Sequence, residues 1–300
     1  MIGPRDDTPV VEARGLRKSF GGTVALDGID LRIDAGRIVG LIGPNGAGKT
    51  TALNAMLGLA SYEGELRVLG RDPWGDRASL MQDVSFIADV AVLPRWIRVS
   101  QLLDYVAAVH PRFDRARAGT FLDRTTIRGT SRVKELSKGM VAQLHLAIVM
   151  AIDARLLVLD EPTLGLDIIY RKQFFDSLLE DFYERDRTII LATHNVEEIE
   201  HVVTDVIFLD RGRVVLSATM DEVESRYREV RVHPDRLIQA RDLAPIHERE
   251  ALGQHIMLFD GVARDRLTAF GDVRTPSVAD LFLARVGDGA GAGEGEVESI

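Results

Sequence analysis

The sequence predicts an α/β protein centred on a mostly parallel sheet, and three stretches predict it. Residues 37–42 (R-I-V-G-L-I) are an apolar, partly β-branched run suited to a strand buried on both faces; a glycine-rich loop and the helix-favouring run T-A-L-N-A-M-L from Thr51 follow it. Leu156, Leu157, Val158 and Leu159 form a second apolar run, which ends in Asp160-Glu161-Pro162. Residues 188–193 (T-I-I-L-A-T) form a third, ending at His194. Short apolar runs that each deliver polar residues at their C-terminal ends suit parallel strands, whose carboxyl edge is where open α/β sheets bind ligands.

The loop after the first run reads Gly43-Pro44-Asn45-Gly46-Ala47-Gly48-Lys49-Thr50, which has the form G-x-x-x-x-G-K-[ST]. With no side chains at Gly46 and Gly48, the backbone can turn successive N–H groups onto one anion, and the helix N-terminus behind it adds about half a positive charge. By this mechanism Lys49 reaches the β- and γ-phosphates of a nucleotide and the Thr50 hydroxyl ligates Mg²⁺, with the rest of the loop and Thr51 as further contacts. A dinucleotide fingerprint, G-x-G-x-x-G, does not fit the spacing G-x-x-G-x-G-K found here.

Before the loop, residues 10–20 and 24–33 read as two strands around the Gly21-Gly22 turn. Phe20, at that turn, is either a core aromatic or a ring that stacks on a nucleotide base. After the first helix, residues 64–70 and 84–88 read as strands. The texture then changes: Ser100 caps a helical pattern ending at Pro111, and residues 114–124 form a second, so residues 89–152 read as a helix-rich insert. Its last helix carries the stripe Val141, Leu144, His145, Ile148, Val149 and Ile152, one buried face at spacings of three and four, with Ser137 as N-cap. Ser137 and Gly139 mark either a second anion site or an ordinary capped helix, and His145 is a core histidine.

Of the two carboxylates ending the second run, one can hold Mg²⁺ and its neighbour can orient or deprotonate a water. His194 either donates to a γ-phosphate or caps its turn, and Asn195 starts a helix with Glu198 as its capping partner. Residues 205–215 read as a hairpin around Arg211-Gly212, His255 to Phe259 as a strand, and residues 277–286 as a helix after Pro276. Residues 287–300 are acidic and glycine-rich, the composition of a disordered tail.

Composition bounds the function. The 300 residues carry a formal net charge of -9, which argues against a broad nucleic-acid surface. With no cysteine, thiol catalysis, disulfides and zinc thiolates are excluded. Residues 1–10 lack the apolar core of a secretory signal, and the most apolar helix, interrupted by Gln143 and His145, is too short to span a bilayer. The expectation is a soluble chain that reaches a membrane only through a partner.

Over residues 10–224 these elements together resemble the nucleotide-binding subunit of an ATP-binding-cassette (ABC) transporter. Residues 43–50 match its Walker A loop, Leu136-Ser137-Lys138-Gly139-Met140 its L-S-G-G-Q signature, and residues 156–161 Walker B with the catalytic glutamate. Gly165-Leu166-Asp167 resembles the D-loop, His194 the switch histidine, and Phe20 the adenine-stacking aromatic. The resemblance implies a P-loop NTPase core with an antiparallel β subdomain and a helical insert in residues 1–224, a small C-terminal appendix over 225–286 and the tail. It implies ATP and Mg²⁺ as ligands, with Glu161, His194 and Lys49 catalytic, Thr50 and Asp160 on the metal, and Ser137, Gly139 and Asp167 acting across a head-to-tail dimer. The dimer would be of two such chains or of this chain and a related ATPase subunit. It further implies integral membrane permease subunits, an exporter-like role, and a cytoplasmic chain held peripherally on the inner face of the cell membrane.

Two departures stand out. Lys138 and Met140 replace a glycine and a glutamine of the signature, and Asp89 stands near where the family has a metal-ligating glutamine. Asp89 is either a hard oxygen donor to Mg²⁺ or a loop carboxylate. Two other functions compete: a soluble regulatory or nucleic-acid-associated cassette ATPase, and a P-loop kinase or GTPase, against which the signature stretch and His194 argue.

Overall fold

A computed structural model describes residues 8–87, 93–185, 187–251 and 253–286. Its elements in chain order are β1 (Val11–Phe20), β2 (Thr23–Ile33), β3 (Ile38–Ile42), α1 (Lys49–Met56), β4 (Glu63–Val68), α2 (Arg77–Leu80) and β5 (Val84–Ile87). The insert follows as α3 (Val99–Val109), α4 (Arg115–Asp123) and α5 (Lys138–Met150). Then come β6 (Leu156–Asp160), α6 (Ile168–Arg185), β7 (Thr188–Thr193), α7 (Val196–Ile199), β8 (Asp205–Asp210), β9 (Arg213–Thr219) and α8 (Met220–Arg226). The chain ends in β10 (Tyr227–Val232), α9 (Leu237–Arg241), β11 (His247–Ala251), β12 (Gln254–Asp260), α10 (Arg264–Leu267), β13 (Gly271–Arg274) and α11 (Val278–Val286).

The predicted mostly parallel sheet is six-stranded in the order β5-β6-β7-β3-β8-β9, parallel from β5 through β8, with β9 returning antiparallel to β8. Every residue of β3, β6 and β7 is buried, as a strand covered on both faces requires. Alternation then decides which core each side chain enters. Val39, Leu41, Leu156, Val158, Ile190 and Ala192 face α1 and the three-stranded antiparallel sheet β2-β1-β4. Ile38, Ile42, Leu157, Leu159, Ile189 and Leu191 face α5, α6 and α7. The insert packs its own core from Val99, Leu102, Leu103, Ala118, Leu122 and Leu144.

Helix α5 joins the insert to the sheet. Its predicted stripe is buried at Leu144, Ile148, Val149 and Ile152, yet Leu146, Ala147 and Met150 are buried too, so this half of the helix has no solvent face. Leu146, Val149 and Met150 enter the sheet's core while Leu144, Ala147 and Ile148 enter the insert's. His145 is only partly buried: it lines a cleft with Phe86, Ile87, Leu102 and Val106, where desolvation pushes its imidazole below histidine's ordinary value. Ser100 is not the cap of α3, which begins one residue before it; the Arg98 N–H donates to Gln101 Oε1 at 3.2 Å, and the Val99 and Ser100 N–H groups go to the carbonyls of Ser131 and Gly129.

The C-terminal residues form a four-stranded antiparallel sheet, β11-β12-β10-β13, whose Val230, Val232, Met257, Phe259 and Val273 make a separate core. Helix α11 instead returns to the first body: Val278, Leu281 and Ala284 pack with Ile199, Val203 and Phe208, and Phe282 meets Phe208 edge-on. No helix among the described residues is long and apolar enough to cross a membrane.

Candidate nucleotide site

The carboxyl ends of β3, β7 and β6 lie side by side, and register sets what meets there. Ile42 is level with Thr193 across β3–β7, and Asp160 with Ala192 across β6–β7. Asp160 continues the Leu156–Val158 side of its strand, the side on which α1 packs. Its Oδ2 accepts a 2.7 Å hydrogen bond from the Thr50 hydroxyl at the start of α1. A buried carboxylate and a hydroxyl, 110 positions apart in the chain, thus become adjacent oxygen donors.

The glycine-rich loop is tightly held. Gly48 precedes α1 at φ 106°, a left-handed conformation that favours glycine, and a Cβ there would stand 2.5 Å from the Ala25 carbonyl oxygen. A Cβ at Gly43 would stand 2.3 Å from the Leu209 carbonyl oxygen. Lys49 is buried, its ammonium donating to the carbonyls of Gly43 at 2.7 Å and Pro44 at 3.2 Å. Burial pushes it below lysine's ordinary value, against the opposing pull of the Glu161 and Asp160 charges. Pro44, Asn45, Gly46 and Thr50 are exposed, while Ala47 is buried and accepts the Gly212 N–H at 2.9 Å; Thr51 is half-buried on α1.

Glu161, just past β6, holds φ 46°, a conformation that costs a non-glycine residue on the order of 1 kcal/mol. Its N–H donates to Ala192 across the strand gap. Its carboxylate accepts from the Thr193 hydroxyl at 3.0 Å and the His194 backbone N–H at 3.0 Å, and His194 Nδ1 lies 2.7 Å from Oε1. Nδ1 is thus the ring nitrogen that faces the Glu161 carboxylate.

Glu198 does not cap its helix as the spacing predicted; the Asn195 N–H goes to Thr193 Oγ1 at 3.0 Å instead. The Glu198 carboxylate accepts from Thr163 at 2.6 Å, from the Asn195 side-chain amide and from Arg171, tying the loop after β6, the loop after β7 and helix α6 to one group. Neither this hub nor Thr193 was singled out from the sequence. A threonine at the C-terminal end of a strand with an apolar middle was the available signal for the second.

The other predicted residues lie apart from this edge. Ser137 caps α5, accepting the Met140 N–H at 3.2 Å. A Cβ at Gly139 would stand 3.0 Å from the Gly165 carbonyl oxygen, so Ser137 and Gly139 share a surface with residues 164–169, where Leu164, Ile168 and Ile169 are exposed by 63%, 81% and 65%. Asp167 caps α6, accepting the Ile169 and Tyr170 N–H groups at 3.0 Å. Phe20 is not a core residue: it is 54% exposed at the β1–β2 turn, with the Lys18 ammonium 5.0 Å from its ring centroid. Asp89 lies outside the described residues.

Among the described residues no group of three or more His, Cys, Asp or Glu side chains could hold a metal ion by itself. The Thr50–Asp160 pair fits a magnesium ion, which binds through one or two protein oxygens and completes its shell with phosphates and water.

Comparison with known proteins points the same way. The family described as ABC transporter matches residues 26–164. The Nod factor export ATP-binding protein I of Cupriavidus metallidurans is 30% identical over 270 residues, covering 84% of this chain and 86% of its own. The sulfate/thiosulfate import ATP-binding protein CysA of Bradyrhizobium diazoefficiens is 31% identical over 310 residues, covering 97% of this chain and 86% of its own. A solved structure of the ATP-binding subunit of an ABC transporter superposes with a TM-score of 0.67 over 72% of this chain and 92% of its own, at 23% identity, a likeness of fold.

Proposed function

The chain belongs to the ABC transporter family of ATP-binding proteins, and from that premise we propose that it is the ATP-hydrolysing subunit of an exporter whose membrane-spanning part is a separate chain. Members of the family are ATPases coupled to transport. The observation that carries the reading is the meeting of the phosphate loop, Asp160 with Glu161, and His194 at the ends of three neighbouring strands.

At that edge the residues divide the chemistry. The loop from Gly43 to Gly48 and Lys49 bind and orient the triphosphate, and Phe20 stacks on the adenine. Thr50 and Asp160 hold Mg²⁺, which when bound neutralises charge on the phosphate oxygens. Glu161 accepts the proton of the water that attacks the γ-phosphorus, and His194 orients Glu161 and donates to the γ-phosphate. The surface bearing Ser137, Gly139, Asp167, Leu164 and Ile168 takes a second copy or a paired ATPase subunit, so that each nucleotide is closed over by the partner. Membrane permease subunits hold the pair on the inner face of the membrane.

Export is supported by the Nod factor export relative, and the import protein among the relatives makes direction the point to test. Purification from detergent-solubilised membranes is expected to recover the chain with a polytopic membrane protein, and vesicles rebuilt from the pair should move cargo away from the ATP-containing side. Recovery with ribosomes or DNA would assign it to the soluble regulatory class, and cargo movement toward ATP would reverse the direction.

A further inference from the structure

The phosphate loop and the Phe20 hairpin belong to different sheets, and one short turn joins them. Gly212, between β8 and β9 at φ 75°, donates its N–H to the Ala47 carbonyl of the phosphate loop at 2.9 Å and accepts the Asp27 N–H of β2 at 2.8 Å. The Ala25 carbonyl of β2 lies between two glycines: a Cβ at Gly48 would stand 2.5 Å from its oxygen and a Cβ at Gly212 2.7 Å. Outside this backbone contact sits a charged clasp. Asp27 Oδ1 accepts from Arg17 of β1 at 2.9 Å, and Oδ2 accepts from Arg213 of β9 at 2.9 and 2.6 Å. The Arg213 hydrogen bond and charge, with Arg17 adding to them, hold the Asp27 carboxyl below its ordinary value.

We propose that Asp27, Arg213 and Gly212 are positioning residues that fix the distance between the base-stacking ring of Phe20 and the phosphate loop, and so set how much of the nucleotide's affinity comes from its base. This rests on the reading that Phe20 stacks on adenine. Strand β2 leads from the Phe20 turn through Ala25 to Asp27, and Asp27 is bonded both to the turn that holds Ala47 and, through Arg213, to the strand after it. A nucleotide touching Phe20 and the loop together therefore spans a gap set by this clasp. Arg213 is exposed, so its loss opens no core.

The test compares ATP with inorganic tripolyphosphate, which has the phosphates and no base, each titrated with magnesium into the full chain and its variants by calorimetry. Phe20→Ala is expected to weaken ATP about tenfold, the worth of one stacked base, and to leave tripolyphosphate unchanged. Asp27→Asn and Arg213→Met are expected to act the same way, by about three- to tenfold on ATP alone. Loss of ATP affinity in Phe20→Ala with none in either clasp variant would overturn the clasp and leave the stacking intact. No loss in Phe20→Ala would remove the stacking itself and the clasp's role with it. Equal weakening of both ligands in the clasp variants would make the clasp merely structural and overturn the proposal; Arg213→Met, altering only an exposed side chain, keeps this arm readable if Asp27→Asn folds poorly.

Discussion

Glu161 Oε1 and His194 Nδ1 lie 2.7 Å apart, and the same oxygen takes the His194 backbone N–H at 3.0 Å, so one residue fixes the carboxylate through both its main chain and its ring. A general base held this way has its orientation settled before substrate arrives. Replacing Glu161 by Gln keeps the shape and removes the proposed proton acceptor. Phosphate release should fall by about 10² to 10⁴, with ATP affinity retained in a binding titration. Near-normal turnover would take Glu161 out of the reaction.

Thr193 holds the other oxygen of Glu161 and also accepts the Asn195 N–H, so it links that carboxylate to the start of α7. Thr193→Val preserves volume in a buried strand and removes the hydroxyl. Turnover at saturating ATP should drop about tenfold with little change in ATP affinity, the pattern of an interaction used in the transition state. A rise in KM at unchanged kcat would place Thr193 in ground-state binding instead.

Ile168, exposed by 81%, tests the partner surface. Ile168→Asp should leave the melting temperature of the isolated chain nearly unchanged, since exposed substitutions usually stay within about 0.5 kcal/mol. In the Glu161→Gln background, where slow turnover should let ATP persist, light scattering is expected to show an ATP-dependent doubling of mass, and Ile168→Asp should abolish it. A dimer that still forms would move the interface elsewhere.

Asp260 reports on how the C-terminal sheet is docked. Burial pushes its carboxyl up, but hydrogen bonds from Arg226 and from Arg285 of α11 outweigh this and hold it below its ordinary value. A depressed folded value means the carboxylate stabilises the fold above the unfolded value of about 4, and that this contribution is lost as pH falls through the folded one. Thermal melts of Asp260→Asn should lie below the parent at neutral pH and converge with it in acid. A constant gap across that range would show that the charge pairing is not the cause.

The strands, the phosphate loop and the carboxylate pair were legible because each is written locally. Apolar runs of about five residues, glycines ahead of a lysine, and acids just past a strand carry their meaning within a few positions. Ser137 and Asp114 were readable as helix starts for the same reason, whereas Ser100 was not, because backbone carbonyls of the loop from Gly129 to Ser131 satisfy that helix start. Only the tertiary structure could expose Phe20, turn Glu198 from a cap into the junction of two loops and α6, send α11 back to the first body, and seat Ala25 between Gly48 and Gly212. Those outcomes depend on strand register and sheet packing, which bring together residues far apart in the chain, and no spacing pattern encodes a neighbour that arrives from another sheet.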